Sequence, residues 1–172
     1  MFSKGSYVIY RAEGVCVISD IKTEKFNALD KETQFYILNP VNDRKSMLYV
    51  PVDNEALTGM MRPLLSADEI MALAEELRSE RIELVPDSRG RNSQLRDILA
   101  RGDRRELIVL LNNLDDFMEK VVANGRKVGN TEIGAYNRAT KLLVDEFSST
   151  TDIDNSEKLK GVIKGTAECL AK

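Results

Sequence analysis

At 172 residues, with 42% hydrophobic and 31% charged side chains, the chain has the composition of a folded protein with room for one ordinary domain or two small ones. A net charge of −3 argues against a generally basic nucleic-acid binder, and the absence of histidine removes His-based triads and the commonest zinc ligand. No apolar run approaches the roughly 20 residues of a membrane helix. Met1-Phe2-Ser3-Lys4-Gly5 lacks the apolar core of a signal peptide, so a cytoplasmic location is expected.

The first sixty residues read as strands. Ser6 to Tyr10 is short and β-prone, Arg11 to Gly14 turns the chain, and Val15 to Ile21 follows, with residues 22–25 continuing its edge. Phe26 to Glu32 reads as a polar loop, Gln34 to Leu38 as a third strand, and Met47 to Val50 as another, ended by Pro51. Four or five short strands with tight connections suggest a small curled barrel. Met47 to Val50 is the expected edge, because proline cannot donate to a ladder and marks a border. Such an edge can accept a partner's strand. It also makes a domain-swapped dimer conceivable beside the expected monomer.

After Gly59 the apolar period changes to about 3.6 residues. Ser66-Ala67-Asp68-Glu69 is a capping box, followed by the stripe Ile70, Leu73, Leu77. Pro86, Ser88 and Gly90 mark an irregular stretch before a helix from about Ser93 to Arg101. Gly102 ends that helix, and Asp103 to Glu106 open the next, with Leu107, Leu110, Leu111, Leu114, Met118 and Val121 at helical spacing. A further helix is expected from about Thr131 to Phe147, with Ile133, Tyr136, Ala139, Leu143 and Phe147 on one face. The last carries Leu159, Val162, Ile163, Ala167 and Leu170. These faces are stripes, which predicts a small bundle. The fold class is therefore α+β: an N-terminal β module over 1–60, then an all-α helical bundle over 61–172.

No enzymatic motif is present: no Walker loop, dinucleotide glycine fingerprint, nucleophile elbow or Cys-x-x-Cys. Carboxylate pairs such as Asp115-Asp116 and Glu75-Glu76 read as solvated helix faces, and Cys16 and Cys169 as small buried hydrophobes. No enzyme, cofactor or metal is expected. The charge distribution is the sharper signal. Residues 78–105 hold eight of the thirteen arginines, no lysine and five acids, just after four acids without a base in residues 66–77. Arginine's planar fork suits phosphate oxygens. Arg89, Arg91, Arg96, Arg101, Arg104 and Arg105 are candidates for meeting a phosphate backbone, and the alternative is a solvated face balanced by Asp87, Asp97 and Asp103.

Phe2 to Tyr10, Glu13 to Ile18 and Tyr49-Val50-Pro51-Val52-Asp53-Asn54 together resemble the CarD/CdnL family, whose N-terminal module is shared with the transcription-repair coupling factor. Met61 to Ser66, Ile98 to Asp103 and Ala139 to Phe147 extend the resemblance along nearly the whole chain. It implies a Tudor- or SH3-like barrel that docks on the RNA polymerase β subunit by edge-strand pairing, and a helical domain that stabilises the open promoter complex without reading sequence. Docking would fall to Met47, Leu48, Tyr49, Val50 and Pro51. The family has a basic residue where this chain has Tyr49, and a second one for which Lys22 or Lys25 can serve. The family's minor-groove tryptophan is absent, its position falling at Leu84 or Ser88. Leu84 can act as an apolar wedge or as core packing. A protein–protein adaptor without DNA contact is the competing reading.

Overall fold

The computed structural model describes residues 2–25, 32–43 and 45–172, which divide into two units, Met1–Leu64 and Leu65–Lys172. The polar loop expected over Phe26 to Glu32 lies, except for Glu32, outside the described residues.

The first unit is a five-stranded antiparallel sheet in the order β4-β3-β2-β1-β5. Its strands are β1 (Tyr7–Tyr10), β2 (Gly14–Glu24), β3 (Thr33–Pro40), β4 (Leu48–Pro51) and β5 (Met61–Arg62). A 3-10 turn, Arg11–Glu13, joins β1 to β2 and delivers the chain to Gly14 at φ 74° and ψ −140°. A side chain is strained in that conformation, so glycine starts the second strand. Register slips by one residue at Ser19, whose hydroxyl donates to the Ile37 carbonyl at 3.1 Å. This bulge bends the long β2–β3 pair. One sheet face carries the main core, Val8, Tyr10, Cys16, Ile18, Tyr36, Leu38, Val50 and Met61, while Ile9, Val15, Phe35 and Ile37 are buried on the other. A short helix, α1 (Glu55–Thr58), capped by the Asn54 side chain, precedes β5.

The second unit is built from α2 (Ala67–Leu77), α3 (Ser88–Arg101), α4 (Arg104–Ala123), α5 (Asn130–Phe147) and α6 (Ser156–Lys164). Ser66 and Glu69 close the capping box of α2. Helix α3 begins five residues earlier than expected. The Asp87 carboxylate accepts from the Gly90 amide at 2.8 Å and caps the helix there, so Ser88 and Gly90 become helical. Gly102, at φ 61°, supplies the left-handed stop, and Asp103 caps α4 at once.

Helix α4 departs from the stripe pattern. Leu107, Ile108, Val109, Leu110 and Leu111 are all buried, because α2, α3 and α5 surround this stretch. The last helix is shorter than expected. Gly165, at φ 72°, ends it, so Ala167 and Leu170 fall outside, with Leu170 exposed and Ala171 bridged to Thr151. In α5 the buried stripe runs through Glu132, Ala135, Ala139, Leu143, Glu146 and Phe147, which leaves Ile133 at its exposed margin.

Candidate functional site

The candidate residues lie on the outer strand of the sheet and among the arginines of the helical unit. Strand β4 forms one border of the sheet and pairs with β3 through Leu38↔Leu48, Ile37↔Tyr49, Tyr36↔Val50 and Phe35↔Pro51. Alternation sends Val50 into the core and Tyr49 to the opposite face, where Tyr49 is 40% exposed and meets Phe35 edge to face at 6.0 Å. Met47, just before the strand, is 53% exposed, and Leu48 is half-buried. Proline at position 51 suits a border strand, since an inner strand would lose a ladder hydrogen bond there.

Register then brings the second strand to the same surface. Asp20, Ile37 and Tyr49 stand in one row across three strands, and Lys22, Phe35 and Pro51 in the next. Directly opposed residues share a face, so Lys22 and Tyr49 lie diagonally across one apolar platform. The Lys22 ammonium is 3.5 Å from the Asp20 carboxylate, whose other oxygen accepts from Lys4 at 3.1 Å. The hydrogen bond from Lys4 is the main reason the Asp20 carboxyl sits below its ordinary value. Lys25 is exposed just past β2.

The arginines sort into three groups. Arg89 and Arg96 are exposed and seven residues apart on α3, about 10 Å along one face. Arg101 and Arg105 are half-exposed but paired: Arg101 Nε and Nη2 donate to the two oxygens of Glu106 at 2.8 and 3.1 Å. Arg105 holds Glu76 through both terminal nitrogens at 2.5 and 3.0 Å. Asp97 and Asp103 also face Arg101, and Glu80 and Asp103 face Arg105, so this helix junction is locally acidic.

Arg91 and Arg104 lie inside. The Arg91 side chain is 12% exposed, with Nε on Glu132 at 2.8 Å, Nη1 on the carbonyls of Val85 and Pro86, and its guanidinium over the Phe117 ring at 5.3 Å. The Arg104 side chain, 8% exposed, pairs with Glu146 at 3.0 Å. Both differ from the solvent-facing arginines expected. Their carboxylate partners, Glu132 and Glu146, occupy positions in the buried stripe of α5, where an acid is the sequence signal of an interior ion pair. Leu84 is half-buried and packs against the helical core, as does Ile82. Asn112 and Asn113, polar residues amid the leucines of α4, reach the Leu77 carbonyl and the backbone of Ile82 respectively.

The chain is thus a small antiparallel sheet with an exposed tyrosine on its border strand, followed by a helical bundle with arginines on its surface and in its interior. Residues 2–65 match the family model of the CarD-like/TRCF RID domain, so the N-terminal unit is a CarD-like domain, an interaction domain of proteins that engage RNA polymerase. No curated protein matches the chain. Among the described residues no cluster of His, Cys, Asp and Glu could hold a metal ion, and no helix is long and apolar enough to cross a membrane.

Proposed function

We propose that the chain is a cytoplasmic transcription regulator that docks on the RNA polymerase β subunit through its border strand and stabilises the open promoter complex through its helical unit. The observation that carries this reading is the surface of Lys22, Tyr49 and Pro51, with buried Phe35 backing Tyr49, beside the outer strand of a CarD-like domain. A partner strand added at β4 would gain main-chain hydrogen bonds, while Tyr49 and Lys22 would select its side chains.

Phosphate contact is assigned chiefly to Arg89 and Arg96, which face solvent without an ion pair among the described residues. Arg101 and Arg105 would have to exchange carboxylates for phosphates, and Arg91 and Arg104 support the fold. Contact through phosphates makes binding non-sequence-specific, and with Leu84 packed on the core instead of serving as a wedge, open-complex stabilisation is weaker than in a tryptophan-bearing relative. Binding the open promoter better than the closed one shifts that equilibrium by the difference in affinity.

Open-complex lifetime tests the proposal. Purified polymerase on a linear promoter should give a longer-lived open complex with the wild type than without it, and Arg89→Ala with Arg96→Ala should remove most of the gain. The acidic surroundings of Arg101 and Arg105 favour one competing reading, a polymerase-bound adaptor that leaves DNA alone. Unchanged lifetimes alongside intact polymerase binding would select it.

A further inference from the structure

Between α2 and α3 the chain runs for about a turn's worth of residues on either side of Ile82 with no helix or strand to satisfy its backbone, yet side chains from elsewhere hold it. The Asn113 amide engages both polar groups of Ile82: Oδ1 accepts from the N–H at 2.9 Å and Nδ2 donates to the carbonyl at 2.5 Å. Gln94 brackets Leu84, accepting from the Val85 N–H at 3.0 Å and donating to the Glu83 carbonyl at 2.8 Å. Arg91 donates to the carbonyls of Val85 and Pro86, and Arg81 to those of Arg78 and Glu80. Arg81 is itself tied to Asp116 on α4 at 2.8 Å, and Arg91 to Glu132 on α5.

We infer that Asn113, Gln94 and Arg91 are positioning residues: they lace the strap over residues 78–87 to α4, α3 and α5 and so preset the start of α3, where Arg89 meets DNA. This rests on the DNA contact proposed above and adds to it which residues make that contact possible without touching DNA. Of the three, Gln94 lies at the half-exposed margin of α3 and Arg91 is nearly buried, while Arg81, within the strap, keeps solvent access. A free strap would have to be ordered at each binding event, at a cost in entropy. The laced one has met that cost on folding.

The test is fluorescence anisotropy of a labelled promoter duplex with the full chain, at a series of salt concentrations. Asn113→Ala and Gln94→Ala remove no charge. Each is expected to weaken affinity several-fold well below its melting temperature, to leave the slope of log affinity against log salt unchanged, and to speed amide exchange at Ile82 and Val85. Arg89→Ala with Arg96→Ala is expected to lower that slope by about 2, one counterion for each lost phosphate contact. Gln94 lies at the half-exposed margin of α3, so its variant keeps the test open should Asn113→Ala fail to fold.

Wild-type affinity in both neutral variants, with the strap's exchange accelerated, would overturn the positioning role and leave the DNA contact standing. A salt slope that drops in Asn113→Ala as it does in the arginine pair would overturn it as well, since contacts rather than order would have been lost. A wild type that does not bind the duplex would overturn both.

Discussion

Arg91 on α3 and Glu132 in the first turn of α5 pair at 2.8 Å although 41 residues separate them, with side chains only 12% and 8% exposed. The pair joins the starts of two helices. Its arginine is also the residue whose side chain closes the strap before α3.

Removing one member should therefore strand a charge. Glu132→Ala is expected to lower unfolding free energy by about 3 kcal/mol, whereas Arg91→Met with Glu132→Leu should recover part of that loss. Urea unfolding of the four-member cycle measures both. An exposed arginine merely salted to a surface acid would give less than about 1 kcal/mol for the single change, and that result would contradict the interior placement.

Stability should be flat across neutral pH and fall on both sides. The chain has no histidine, so no side chain with an ordinary pKa titrates between about 5 and 8. On the acid side Asp20, Asp43, Glu69, Glu76 and Asp154 all sit below their ordinary values, each held chiefly by a hydrogen bond to its carboxylate. The folded state binds these protons less readily than the unfolded one. Their contribution is complete above the ordinary carboxylate range and is lost as pH drops through the lowered values.

On the alkaline side the sign reverses. Burial raises Cys16 to about 12, and burial, then the Asp115 carboxylate, push Tyr136 up to about 12, so the folded state keeps protons the unfolded chain gives up, and stability declines as pH rises past about 9. Melting curves from acid to alkali check this shape. A step in melting temperature near pH 6.5 would contradict it.

Both thiols should be inert in the native protein. Burial, with a smaller effect of Glu13, raises Cys16 to about 12, and burial likewise raises Cys169. The thiolate is the reactive form. An aromatic disulfide reagent near pH 8 should therefore release colour slowly from the folded chain and promptly after denaturation. Prompt reaction before denaturation would mean that one of these side chains is accessible.

The sheet and helices were legible where local rules decide. Alternation placed the strands, Ser66 and Glu69 announced α2, and Gly102 marked the stop of α3. What escaped the sequence was non-local. Gly90 looked like a breaker, but Asp87 caps the helix ahead of it. Ala167 and Leu170 continued an apolar period that Gly165 interrupts.

The arginines were the hardest. Eight in 28 residues read as one basic surface, yet their fate depends on acids far away in sequence, Glu132, Glu146, Glu76 and Asp116. Nothing local tells Arg89 from Arg91. The border strand fared better, because Pro51 carries its own reason for lying at an edge.

Docking of β4 on RNA polymerase is read out by saturable binding of the full chain to the purified lobe of the β subunit. Tyr49→Glu places a charge on the exposed face beside Phe35 without entering the core formed by Val50 and Tyr36. The wild type is expected to bind saturably, and the substitution to weaken binding at least tenfold, about 1.4 kcal/mol, with an unchanged melting temperature. No binding by a folded wild type, or equal binding by the variant, would contradict it.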